Sequence, residues 1–216
     1  MTKVDTGKVA QAYNKIADEY DRNYQTKQAQ KENLYVFKDL LSMRLFYPDM
    51  NILDLGCGTG ALFDIIELTG LDPTKTIPKE EYLGVDIAKK MLERARFKYP
   101  TYEFQEFDYD KQWKIGRFNT IISLFSSMSY SSNMITLAGK VKNALKENGN
   151  YYLMFMDTHA YITKQDYIID KSNEQLHPMP VTRELLEWIF GDLPNFHIKK
   201  AMKYWWVISS QRLKHG

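Results

Sequence analysis

The 216-residue chain contains a single cysteine, Cys57. No internal disulfide can form, so the cross-linked scaffolds of small secreted domains are excluded. No run approaches the roughly 18 apolar residues that a membrane-spanning helix needs. The opening stretch, MTKVDTGKVAQAYNKIADEYD, lacks the apolar centre of a signal peptide. A cytoplasmic protein of a reducing compartment, with no membrane partner, is the expectation. Charge of one sign is also missing. The 29 basic and 27 acidic side chains leave a formal net charge of +2, which gives no pointer to nucleic acid or an anionic surface. There is no internal repeat and no low-complexity linker. What remains is an ordinary globular composition, 44% hydrophobic and 26% charged, long enough for one sizeable core. One domain over 1–216 is expected.

Hydrophobic periodicity divides the chain. Residues 8–22 and 28–46 predict two helices, with Val9, Ala12, Tyr13, Ile16 and Tyr20, then Leu34, Phe37, Leu41 and Leu45, at helical spacing. These form an N-terminal helical cap over 1–47, broken at Pro48. Short apolar strands follow at 51–55, 82–86, 101–108, 118–125 and 151–157, with helices between them. A helix near 133–147 is expected to end at Gly149 as its C-cap, and Thr182 is a plausible N-cap for a helix over 182–190. The tail is aromatic and strand-like and suits an antiparallel pair. Strands alternating with helices predict an α/β fold, a mostly parallel, doubly wound sheet with an antiparallel last strand. In such sheets the ligand lies beyond the carboxyl ends of the strands, at the switch point. The loops after 55, 86, 108, 125 and 157 fall on that side. The stretch 71–81 falls on the other.

The stretch NILDLGCGTG (51–60) places three glycines within five residues, after a strand that carries Asp54. Bare backbone there allows a sharp turn and close approach of a ligand, and the helix that follows favours an anion. Gly56, Gly58 and Ala61 satisfy the G-x-G-x-x-G/A pattern of dinucleotide sites. Asp54, however, lies two residues before the first glycine, poorly placed beside a pyrophosphate and well placed beside an ammonium. S-adenosylmethionine carries an ammonium and a carboxylate at one end and a ribose with two free hydroxyls at the other. Asp86, ending the second strand, suits the ribose, and equally suits capping the next helix. Asp108, between Phe107 and Tyr109, suits an adenine edge, or a solvated turn.

At this point the sequence resembles the class I S-adenosylmethionine-dependent methyltransferases. LDLGCGTG resembles their first motif and YLGVDIAKKMLERAR their second. FDYD fits the third position. FNTIISLFSSMSY resembles the fourth, with Asn119 where many members have aspartate. LKENGNYYLMF resembles the turn and strand that follow, and YNKIADEYD a tyrosine-rich N-terminal helix of small-molecule members. The resemblance covers roughly 10–157 and implies a Rossmann-like fold with S-adenosyl-L-methionine as cofactor. It implies that Asp54, Gly56 and Gly58 line the methionine end and Asp86 the ribose, with Cys57, Thr59, Gly60, Ile87 and Met91 also among the cofactor-binding residues. Asp108 and Tyr109 would meet the adenine, and Leu124, Phe125 and Ser126 would lie near the sulfonium. Tyr20, with Tyr13, would fold over the cofactor. Cys57 reads as a small residue that the turn tolerates, and the spacing of Tyr13 and Tyr20 suits core packing as well as a site.

The stretch 157–180 follows the fifth strand and is expected to form the substrate lid. It holds His159, His177, Tyr161 and Tyr167. Asp157 and His159 lack a well-placed third ligand, so no metal is expected. Tyr13, Tyr130, His159 and His177 are the candidates for a catalytic role, and Ser126, Ser127 and Tyr130 for orienting an acceptor. No acid/base pair stands out. An amine needs only to arrive deprotonated, whereas a hydroxyl usually needs a base, and LFSSMSY resembles the corresponding segment of amino-sugar and glycine-type N-methyltransferases. Methylation of a small molecule at nitrogen, by a monomer or homodimer, is therefore expected. Two alternatives stay open. One is an RNA-modifying methyltransferase using Lys199, Lys200, Lys203, Arg212 and Lys214; the other is a non-catalytic cofactor-binding protein.

Overall fold

In the computed structural model, residues 4–23, 25–46, 50–157, 176, 179, 181–211 and 213 are described. Two helices open the chain, α1 (Thr6–Asn23) and α2 (Lys27–Ser42). Strand β1 (Ile52–Leu55) leads into α3 (Ala61–Leu68) and the short α4 (Pro73–Thr76). Then come β2 (Tyr82–Asp86), α5 (Lys89–Lys98), β3 (Glu103–Glu106) and β4 (Phe118–Ser123). After β4 follow α6 (Met134–Ala144), β5 (Leu145–Met156), α7 (Arg183–Phe190), β6 (His197–Ala201) and β7 (Trp205–Ser209). The strands form one sheet in the order β3-β2-β1-β4-β5-β7-β6. Pairing is parallel from β3 to β5 and antiparallel at β5–β7 and β7–β6. Strand order reverses between β1 and β4, which puts the switch point beyond Leu55 and Ser123.

Helices cover both faces. In β5, Tyr151, Leu153 and Phe155 pack with α6 and α7, while Tyr152 and Met154 pack with α2 and α3. That alternation is the period-two geometry of a strand buried on both sides.

Three expectations need correction. The helix expected to reach 147 stops at Ala144, where the Leu145 amide bonds back to Val141. The chain already pairs as strand at Leu145 with Phe118, and the ladder slips before Asn150 meets Thr120. The extra residues bulge outward with Asn148 at φ 59°, so Gly149 is no C-cap; it sits against the Lys146 and Asn119 carbonyls. Helix α2 ends four residues before 46, and its buried face is Val36, Phe37 and Leu40, while Leu34 and Leu41 are exposed. The third strand is confined to the middle of 101–108.

The face of α2 turned to the sheet also carries two buried acids, Glu32 and Asp39. Asp39 accepts hydrogen bonds from the Tyr152 hydroxyl (3.1 Å) and from Lys199 Nζ (3.0 Å), and Lys199 also reaches the Tyr35 hydroxyl. Glu32 accepts from the Trp205 indole N–H at 3.3 Å. These contacts fix α2 over β5, β6 and β7. Removing one partner of a buried ion pair leaves the other charge uncompensated. Asp39→Ala is therefore expected to cost on the order of 3–5 kcal/mol in urea unfolding, and Asp39→Asn clearly less.

Candidate functional site

The site grows from the turn after β1. Gly56, Gly58 and Gly60 all have positive φ, at 73°, 57° and 97°. Their reasons differ. A Cβ on Gly56 would lie 2.3 Å from Ser127, and one on Gly60 2.8 Å from the Tyr99 ring. Both are packing constraints. A Cβ on Gly58 would meet nothing nearer than Met91 Cε at 3.8 Å; there the bare backbone faces an open cleft. The amides of Gly56 and Cys57 donate to Val85 O, those of Gly60 and Ala61 to Cys57 O, and that of Gly58 to Asp86. The turn thus contributes shape, and these five amides are already committed.

Asp54 points from β1 into the same cleft, deeply buried. Its Oδ2 accepts from the Tyr82 hydroxyl at 2.9 Å, while Oδ1 has no hydrogen-bond partner. Burial, reinforced by the nearby Asp86 charge and only partly offset by the Tyr82 bond, pushes its pKa up to about 7. Asp86, half-buried at the end of β2, accepts from Ala88 N (2.8 Å) and Gly58 N (3.0 Å). It therefore ties the backbone just ahead of α5, and it still lines the cleft. Burial raises its pKa as well. A carboxylate has about four acceptor positions, so two N–H bonds leave room for further donors. Asp108 accepts from the Asp110 amide and, weakly, from the Thr6 hydroxyl.

The cleft is narrow, with a cavity volume of about 60 Å³, below the roughly 300–1,000 Å³ typical of small-molecule sites. The structure brings together Asp54, Gly56, Cys57, Gly58, Thr59, Asp86, Ile87, Met91, Asp108, Tyr109, Leu124 and Phe125, with Tyr13, Tyr20 and Tyr130 across from them. Two expected residues are elsewhere. Gly60 packs under Tyr99. Ser126, in the left-handed region at φ 71°, turns inward, where its hydroxyl meets Ser129 and accepts from the Met156 amide. Ser127 takes its place in the lining, with its own hydroxyl donated to Leu55 O. Cys57 is buried and its thiol is held well above the ordinary range, by burial first and the Asp54 charge second, which makes it unreactive. His159 and His177, and with them Tyr161 and Tyr167, lie outside the described residues.

Thr6, and Val9, which the sequence marks only as an apolar helix position, also line the cleft. The signal was available, because residues 6, 9, 13 and 20 form one helical stripe. Helix α1 is held over the cleft by side chains. Asn14 accepts from the Lys90 amide, Asp21 accepts from the Thr59 hydroxyl, and Lys98 bridges Asp21 (3.1 Å) and Asp64 (2.7 Å). Of the tail cations, Arg212 and Lys214 lie outside the described residues, and two of the others are paired with acids. Lys199 is paired with Asp39, and Lys200 with Asp157 while lying over the Trp206 ring.

Such a sheet, with a glycine turn after its first strand, an acid ending the second and a cleft at the switch point, defines the class I S-adenosylmethionine-dependent methyltransferases. A family model described as a methyltransferase domain matches residues 47–205, and the chain belongs to that family. Over 88 residues it is 34% identical to demethylmenaquinone methyltransferase of Symbiobacterium thermophilum, a match covering 41% of this chain and 32% of that protein. The chain thus matches about a third of that relative's length. Its fold is similar to a S-adenosylmethionine-dependent methyltransferase of Anabaena variabilis, with TM-score 0.61, 18% identity and 98% of each chain covered. It is also similar to a complex of DhpI with SAM and HEP, with TM-score 0.63, 13% identity and 97% and 98% of the two chains covered.

The raised Asp54 pKa has a consequence for stability. Between about pH 4 and 7 the folded protein binds a proton there that the unfolded chain, with an ordinary value of 3.8, releases. Stability from this group is therefore greatest in acid, falls as pH rises through that window and levels off above about 7. In thermal unfolding without ligand, Asp54→Asn is expected to raise Tm over wild type at pH 8 and to lose that advantage near pH 4. A constant difference would contradict the assignment.

Proposed function

We propose that the cleft binds S-adenosylmethionine and that the protein transfers its methyl group to a nitrogen of a small-molecule acceptor. The observation that carries the reading is Asp54 Oδ1, a buried carboxylate oxygen without a hydrogen-bond partner, on a residue that lines the cleft. Such an atom is costly unless a charged donor arrives, and the ammonium of a methionyl group is one. The gap over Gly58 and the spare acceptor positions of Asp86 suit the rest of the cofactor, with the ribose at Asp86 and the adenine at Asp108. A dinucleotide would set a pyrophosphate near Asp54 and against a turn whose amides are mostly committed, and charge repulsion disfavours that.

The bound cofactor supplies a methyl carbon made electrophilic by its sulfonium. The protein's part is alignment and exclusion of water. Leu124, Phe125, Tyr13 and Tyr130 provide apolar walls with the two tyrosines edge to face at 5.9 Å. Ser127 and Tyr109 fix the floor through the Tyr109 hydroxyl bonded to Ser127 O. Ser123, Ser126, Ser127 and Ser129 are tied to one another and to backbone, so that serine-rich loop acts as a rigid support. No general base is needed for an amine that arrives neutral. A small acceptor agrees with the small-molecule substrate in the name of the matched relative.

The test is calorimetry with S-adenosylmethionine, S-adenosylhomocysteine and NAD, followed by turnover on amines and phenols. Binding of the first two without NAD, and methylated amine as product, are expected. Binding of NAD alone, or phenol products with every amine inert, would overturn the reading. Because the ammonium needs Asp54 ionised, affinity for S-adenosylhomocysteine is expected to fall towards tenfold per unit as pH drops below about 7. Asp54→Asn should bind at least tenfold more weakly at pH 8 and show no such dependence.

A further inference from the structure

A second cavity adjoins the cofactor cleft. It shares Tyr20, Thr59, Ala61 and Phe125 with it, then runs between α2 and α3 past Asn33, Asp64 and Glu67 to Leu68. From Ala61 to Leu68 the helix rises roughly 10 Å. We infer that this groove is the acceptor site and that the acceptor is an extended diamine, with a neutral nitrogen beside Phe125 and a cationic nitrogen toward Glu67. The inference rests on the reading of the adjoining cleft as the methyl-donor site.

Three observations lead there. The shared wall includes Phe125, held in the left-handed region at φ 51° two residues past β4. A bulky residue persists in that conformation only where its surroundings enforce it. Its ring packs edge to face on Trp205 at 5.7 Å, so the junction of the two cavities is rigid. Second, the charge along the groove is uneven. Asp21, Asp64 and Glu67 face one cation, Lys98. Lys98 bridges Asp21 and Asp64, and among the described residues Glu67 accepts only the neutral Tyr99 hydroxyl, at 3.1 Å. The surplus is negative, which attracts a cation and repels a carboxylate. Third, a single amine cannot satisfy both ends. The nitrogen that attacks must have lost its proton, whereas the groove favours a charged one. Two nitrogens separated by a chain meet both demands.

The step balances simply. The neutral nitrogen's lone pair forms the N–C bond as the methyl C–S bond breaks, and that bonding pair stays on sulfur, leaving a neutral thioether. The methylated nitrogen then sheds its proton to water.

The experiment compares α,ω-diamines of four to eight carbons with butylamine, following S-adenosylhomocysteine release by the full chain. At least tenfold higher kcat/KM for the best diamine is expected. Asn33→Lys, which puts a cation in the groove without touching the Lys98 network, should erase that preference while S-adenosylhomocysteine affinity and Tm stay at wild-type values. Glu67→Gln, which keeps an acceptor for Tyr99, should reduce the preference in the same direction. If S-adenosylhomocysteine binds and the diamine shows no advantage, or Asn33→Lys leaves the advantage intact, the groove assignment is wrong and the donor site stands. If S-adenosylhomocysteine does not bind at all, the cofactor reading fails and takes this one with it.

Discussion

A carboxylate buried at the end of the first strand is the constraint around which the site is arranged. Asp54 sits where the chain must leave the sheet, with one oxygen on the Tyr82 hydroxyl and the other unpartnered. Burying a charge this way is unfavourable, and the raised pKa measures the discomfort. Everything nearby tolerates it. Tyr82, from the neighbouring strand, supplies one hydrogen bond. Gly84 keeps room for the Tyr82 hydroxyl, since a Cβ there would lie 2.8 Å from it. Cys57 is small enough to fill the space behind. A sheet optimised only for stability would put an apolar residue at 54.

The same logic separates the two ends of α5. At its start, Asn14 accepts from the Lys90 amide inside the helix and Asp86 from the Ala88 amide just ahead of it. At its end, Lys98 and Tyr99 gather Asp21, Asp64 and Glu67. One helix therefore connects Asp86, the glycine turn and α1. Residues that read as solvated charges along the sequence become the fittings between elements.

Much of this was legible before any coordinates. The alternation of strands and helices was, because buried strands are short continuous apolar runs. So were the glycine turn, Asp54, Asp86 and Asp108, because each is fixed by its position at the end of a strand. The misses have a common cause in distance along the chain. Glu32 and Asp39 look like exposed helix charges, and their partners Trp205, Tyr152 and Lys199 lie more than a hundred residues away. Leu34 and Leu41 share the helical spacing of Phe37, yet the buried stripe of α2 runs through Val36, Phe37 and Leu40. Ser126 reads as a site residue by its neighbours, and only the left-handed backbone at Phe125 and Ser126 turns it away. LKENGN contains a helix-ending pattern, yet pairing with β4 recruits Leu145 into the sheet first. The groove between α2 and α3 has no local signature at all, since its walls come from four separate stretches.

Helix α1 seats its apolar side on two small clusters, one of Val9, Ala12 and Leu176 and one of Ala17, Ala88 and Met91, both separate from the main core on either face of the sheet. Elements with few deep contacts open at lower free energy than the core they rest on. In hydrogen exchange α1 should thus form its own cooperative unit, exposing its amides while the sheet stays protected. Ligand affinity at this cleft then contains the ordering of that helix, and so depends on a segment that touches the ligand with only one of its faces.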